Sequence, residues 1–165
     1  MIEAAVLEKK RLIVIGQGPQ TAHLHRLARR LDPQQQYVWL IGRVSDAELH
    51  WFAEHAVGAI FPQLEDFGIA AGEAVLVGCP VLVHKKSGIT EILSDEQCVT
   101  MESETLSEVR AGIKKLGSKK WSRLDMKHQA RQYAGERFIG QWPQLVQKLW
   151  HEHKTSLHQS SERNA

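Results

Sequence analysis

Two carboxylates, Glu65 and Glu73, stand eight positions apart in a segment that leaves a short apolar run and enters a helix-forming one. Gly68 lies between them, and glycine lets a backbone turn sharply and approach a ligand closely. The first amides of a helix have no internal partner and carry partial positive charge, which suits a phosphate. An acid one turn into that helix is placed to accept hydrogen bonds from the two hydroxyls of a ribose, as acids do in dinucleotide-binding folds. Acids near a helix N-terminus also stabilise the helix dipole by typically 0.3–1 kcal/mol, and taken alone this pair would be read that way.

The elements that must position these acids follow from periodicity. Leu12–Ile15 is a continuous apolar run stopped by Gly16, the pattern of a strand buried on both faces. Leu24, Leu27, Ala28 and Leu31 recur at helical spacing within a helix from Thr21 to Leu31. Further strands are expected at 37–41, 59–61, 80–83 and 97–101, and helices at 2–8, 46–55, 70–78 and 89–93. Ser45 or Asp46 is suited to cap the helix that starts there. The remainder reads as helical, broken near Gly117 and Gly135, with a polar, disordered tail from Thr155 to Ala165. Alternating strands and helices predict a Rossmann-like, doubly wound parallel sheet of about five strands, with a helical C-terminus. Ligands bind such sheets outside the carboxyl ends of the strands.

Composition narrows the classes. A chain of 165 residues with 42% hydrophobic and 24% charged residues suits one ordinary domain. Its 21 basic and 19 acidic residues call for no nucleic acid, and the basic stretch from Lys114 to Lys127 reads as a solvated helix face. Cys79 and Cys98 sit in apolar surroundings without metal-ligand spacing, so buried thiols are expected. No run approaches the ~20 apolar residues of a membrane span, and the N-terminus does not read as a signal peptide. A cytoplasmic location is expected. Gly16-Gln17-Gly18 lacks the third glycine of a dinucleotide fingerprint and reads as a tight turn. His84-Lys85-Lys86 reads as a solvated turn. His151 and His153 diverge on a helix, which argues against a metal site there.

The string EDFGIAAGEAVLVGCPVL, Glu65 to Leu82, resembles the E-x(7)-E segment of glycosyltransferase family 4, retaining enzymes of the GT-B fold. LIVIGQGP (12–19), LIGRVSDAEL (40–49) and SGITE (87–91) resemble three further stretches of that family, in the same order. Together the four span about residues 1–153. The resemblance implies the nucleotide-sugar-binding C-terminal half of GT-B, over residues 1–154. It implies that Glu65 contacts the transferred sugar and Glu73 the ribose. The amides of Phe67, Gly68 and Ile69 would face the sugar or the diphosphate, and Val44 and Asp46 the nucleobase. The donor would be a UDP-, GDP- or ADP-sugar, with no metal or other cofactor, because basic side chains and helix amides neutralise the leaving diphosphate.

Two features of the family have no counterpart here. Its arginine and lysine, which grip the diphosphate, precede the strand equivalent to Leu12–Ile15, and its N-terminal acceptor domain precedes both. The chain is therefore expected to lack the first strand of the fold, to act with a missing half or partner chain, and to be inactive alone. Any association with a membrane is expected through that missing half. The five strands would either close up in the order 2-1-3-4-5 or leave a gap for another segment. A non-catalytic nucleotide-binding or assembly module is the alternative reading. The paired acids favour the enzyme, and the absent basic pair favours the module.

Overall fold

The computed structural model describes residues 1–131 and 135–162. Contacts divide the chain into two compact units, Met1–His128 and Gln129–Ala165. The first unit holds the five strands found among the described residues: β1 (Leu12–Ile15), β2 (Val38–Gly42), β3 (Ala59–Phe61), β4 (Val81–His84) and β5 (Cys98–Met101). Its helices are α1 (Ile2–Leu7), α2 (Thr21–Leu31), α3 (Asp46–His55), α4 (Ile69–Leu76), a 3-10 turn at Gly88–Glu91, and α5 (Leu106–Ser118). A further helix, α6, spans Arg123–Ala130. The alternation is α/β and every strand pair is parallel, as the sequence pattern predicts.

The strands do not close into one sheet. Among the described residues β1 pairs only with β2, and β3, β4 and β5 form a second sheet in that order. The break falls where an order of 2-1-3-4-5 would pair β1 with β3, so the closed alternative is not adopted and the seam stays open. α1 bridges the seam from one face. Its Ala4 is packed among Leu82, Val99, Met101, Val109 and Ile113, beneath α5. Its Ile2 is packed with Ala28 and Val38, against Leu24 and Leu27 of α2. Glu8, just past α1, accepts from the Arg110 guanidinium of α5 at 2.6 Å and pairs with Lys114. Arg110 first, and Lys114 with it, hold the Glu8 carboxyl below the usual range despite an opposing desolvation.

The two sheets are buried to different depths. β4 is the central strand of its sheet, and Val81 and Leu82 are 0% exposed. α5 packs on β4 and β5, and α4 packs on β3 and β4. β1 departs from expectation, because it is not buried on both faces. One side of the β1–β2 pair packs on α1 and α2, but Ile13 is 43% and Ile41 40% exposed. A strand pair with a helix layer on one face only must leave its alternate side chains in solvent.

Asp32 closes the turn between α2 and β2. Its buried carboxylate accepts from the backbone N–H groups of Gln36, Tyr37 and Val38 at 2.7–2.9 Å. Arg123 of α6 donates to the carbonyls of Glu54, Ala56 and Gly78, satisfying the end of α3 and the turn after α4.

In the second unit, α7 runs from Gly135 to Glu162 with Pro143 inside it. Thr155 to Glu162 is therefore helical backbone rather than the disordered tail expected from its polarity. No glycine or proline stands in that stretch to end the helix. Residues 163–165 of the expected tail lie outside the described residues. Among the described residues no helix is long and apolar enough to cross a membrane.

Candidate functional site

The loop from β3 into α4 carries the first candidate acid. Gly68 is the N-cap of α4 with φ +91°, ψ +52°, a left-handed conformation that L side chains rarely adopt. A Cβ there would also press on Ile89 at 3.1 Å and lie 3.6 Å from Glu65 Oε2. The Glu65 carboxylate thus rests against the turn that opens the helix. It accepts a hydrogen bond from Gln63 Nε2 at 2.7 Å. Glu65 is half-buried, whereas Phe67 and Ile69 on either side of Gly68 are 57% and 67% exposed.

The position of Glu65 is set from the next strand loop. Its N–H donates to Ser87 Oγ at 3.1 Å, and its carbonyl accepts from the Gly88 N–H at 3.1 Å. Ser87 Oγ in turn donates to the Gln63 carbonyl at 3.4 Å. The two backbones approach so closely that a Cβ on Gly88 would fall 2.0 Å from the Asp66 carbonyl oxygen. Ser87 is buried, and Thr90 Oγ1 donates to its carbonyl at 2.8 Å. Because β3 and β4 are parallel neighbours, their carboxyl ends place both loops side by side.

Beyond Gly68, α4 buries Ala71, Ala74 and Val75 against the sheet. Glu73 falls on the opposite, exposed side with Ile69 and Ala70. Among the described residues it makes no hydrogen bond or ion pair. The backbone N–H groups of Phe67, Gly68 and Ile69 are likewise without partners among the described residues, as the start of a helix requires for Gly68 and Ile69.

Val44 and Asp46 lie at the carboxyl end of β2, across the open seam from that loop. Ser45, not Asp46, caps α3. Glu48 N–H donates to Ser45 Oγ at 3.3 Å while Ser45 N–H donates to Glu48 Oε2 at 2.8 Å, a reciprocal capping box. Those bonds from Ser45 hold the Glu48 carboxyl below its ordinary range. Asp46 is exposed in the first turn and Val44 half-buried. No hydrogen bond or ion pair joins either to the Glu65–Glu73 segment among the described residues. The structure therefore brings Glu65, Phe67, Gly68 and Ile69 into one turn, puts Glu73 on the helix it opens, and leaves Val44 and Asp46 on a second loop.

Gln63 is a positioning residue that the sequence does not mark, while Ser87 and Gly88 belong to the SGITE stretch, whose contact with Glu65 the sequence does not reveal. Their partner Glu65 is more than twenty residues away from Ser87 in the chain, so only the strand order connects them. Of the other candidates, Lys85 pairs with Glu102, and His84 Nδ1 accepts from the Lys86 N–H at 3.1 Å. Burial pushes the thiols of Cys79 and Cys98 up to about 11. Among the described residues no cluster of histidine, cysteine or carboxylate side chains could hold a metal ion.

The family model described as glycosyl transferases group 1 matches residues 1–134. The chain belongs to that family. No curated protein matches it. Among solved structures it is similar to sucrose-phosphate synthase from Thermosynechococcus elongatus, with 18% identity and a TM-score of 0.69 over 92% of this chain and 42% of that one. The pneumococcal O-GlcNAc transferase GtfA, solved in complex with UDP and GlcNAc, is similar at 15% identity and a TM-score of 0.70, over 91% of this chain and 32% of its own. The C-terminal domain of the group 1 glycosyl transferase LpcC from Francisella tularensis is similar at 20% identity and a TM-score of 0.57, over 79% of this chain and 71% of its own. The chain thus spans less than half of the first two structures. The shared fold is that of GT-B glycosyltransferases, and the Rossmann-like architecture read from the sequence agrees with it.

Proposed function

We propose that this group 1 glycosyltransferase chain is the C-terminal, donor-binding half of a retaining family 4 enzyme. The donor is a hexose carried on UDP, GDP or ADP. In the reaction the bond from sugar C1 to the diphosphate oxygen breaks and the nucleoside diphosphate leaves with the electron pair. A bond to the acceptor oxygen forms on the same face of the sugar, and the acceptor hydroxyl loses its proton. The carrying observation is the left-handed turn at Gly68, which holds the half-buried Glu65 carboxylate at the mouth of α4 beside three unpartnered amides.

In this reading Glu65 contacts the transferred sugar. The N–H groups of Phe67, Gly68 and Ile69 meet the sugar or the diphosphate, where fixed donors are worth most against developing negative charge. Glu73, exposed and uncommitted, accepts from the ribose hydroxyls. Val44 and Asp46 flank the nucleobase. No metal is needed, because the helix amides and basic residues contributed by the rest of the enzyme neutralise the leaving group. The acceptor-binding half, and a strand for the seam between β1 and β3, come from a preceding segment or a partner chain in the cytoplasm. The similarity to the LpcC C-terminal domain and to a transferase bound to UDP supports this assignment.

Calorimetry with UDP, GDP and ADP tests it. One nucleotide is expected to bind saturably, and Glu73→Ala to weaken it about tenfold while leaving the fold intact. The chain alone is expected to transfer no sugar, since losing one transition-state donor costs ~100-fold or more in rate. Absence of binding to all three nucleotides, in a folded protein, would overturn the donor-site reading and favour an assembly module.

A further inference from the structure

The outer edge of β2 pairs with no strand among the described residues, and it lies apart from the β3–α4 loop. Leu12 N–H donates to the Tyr37 carbonyl, so Tyr37 and then Trp39 turn their backbone groups toward β1. By the same alternation Val38 and Leu40 turn theirs outward. Asp32 takes the outward N–H of Val38 at 2.9 Å, which leaves the N–H and C=O of Leu40 and the carbonyl of Val38 facing out. Beside this edge lies a groove of about 210 Å³. His25 and Arg29 of α2 form its wall on one face of the sheet, and Trp39 and Ile41 line the other.

The helix that walls the groove is basic. α2 carries Arg26, Arg29 and Arg30 and no acidic residue, all three are exposed, and Arg29 lines the groove itself. The nearest acid on the groove, Asp32, is committed to three backbone N–H groups. Unpaired strand edges invite further strands unless guarded, and β2 has no proline, lysine or aspartate of its own to guard it. A second copy of this chain is disfavoured, because pairing two β2 edges would bring two arginine-rich α2 helices together.

We propose that the β2 edge receives an extended acidic segment of a partner protein by strand addition. The segment alternates acidic and apolar residues. Its backbone pairs with Leu40 and Val38, its acids face Arg29 and His25, and its apolar side chains extend the exposed face of Trp39 and Ile41. Period-two alternation is required because successive side chains of an added strand point to opposite faces.

The test uses the full chain and short fluorescein-labelled peptides, read by anisotropy and sedimentation. A peptide alternating glutamate and valine is expected to bind saturably, and to bind more weakly as salt rises. The same peptide with lysine for glutamate, or with N-methylated backbone amides, is expected to bind at least about tenfold more weakly. Arg29→Glu, at an exposed site, is expected to cause a similar loss. Equal binding of the lysine peptide, equal binding of the N-methylated peptide, or no saturable binding would each overturn the proposal. So would self-association that Ile41→Lys abolishes. Nucleotide binding at the β3–α4 loop is expected to be unchanged by Arg29→Glu, so the two assignments stand or fall separately.

Discussion

The three-stranded and two-stranded halves of the first unit are built from similar apolar runs, yet they are stabilised differently. In β3–β4–β5 the central strand lies between helices on both faces, and its core residues are closed off from water. In β1–β2 one face is bare, and order depends on attachments: Asp32 at the turn, α2 on one side, and α1 tying the pair to the other half. A parallel pair of strands is too small to bury both faces by itself. The contrast teaches that the apolar run alone does not report burial. A run such as Leu12–Ile15 reads like Val81–Val83 in sequence, and only the neighbours differ.

Substitutions can sharpen this comparison. The largest effect is expected for Leu82→Ala, which empties a fully enclosed site and should cost about 2–5 kcal/mol in denaturant unfolding. Its counterpart Ile13→Thr, in the exposed face of β1, should change stability by less than about 1 kcal/mol. A cost for Ile13 as large as that for Leu82 would show that the bare face is covered in solution.

Gly88→Ala is expected next. The new methyl would overlap the Asp66 carbonyl, so the two loops must separate and Glu65 must move. Nucleotide affinity by calorimetry should fall by at least about tenfold, with the far-ultraviolet circular dichroism preserved. Unchanged affinity would detach the clamp from the donor site.

Acid should separate the halves without mutation. Burial raises the Asp32 pKa, but the N–H groups of Tyr37, Gln36 and Val38 together outweigh it and hold the carboxyl below its usual 3.8. A depressed folded-state pKa contributes stability that is complete above 3.8 and is lost as pH falls through the folded value. Hydrogen exchange of β1–β2 amides is therefore expected to quicken below that pH before β4 is affected, and Asp32→Asn should remove the difference. A loss of about 1 kcal/mol is expected for Ser45→Ala, which removes the capping box of α3. Thermal unfolding would detect it.

Much of this fold is legible in the sequence, because helical spacing, glycine stops and short apolar runs mark the elements directly. α2, α3, β1 and β3 have the bounds the pattern predicts. The segment from Glu65 to Glu73 is legible too, since a glycine between a strand and a helix reports a local backbone requirement. What is not legible is whatever depends on strand neighbours. The hydrogen bonds from Gly88 and Glu65 that join the two loops, the choice of an open seam over a closed 2-1-3-4-5 sheet, and the exposure of Ile13 all arise from contacts between distant segments. Helical order past Thr155 was hidden for a different reason, because polar composition does not by itself stop a helix once it is under way.

The short helix α1 has one mechanical implication. Ile2 and Ala4, two positions apart, are rooted in separate cores on either side of the seam. The distance between the sheets is thereby gauged by a single rigid turn of backbone. Whatever strand enters the seam must fit the width that turn allows, or withdraw one of the two side chains from its core.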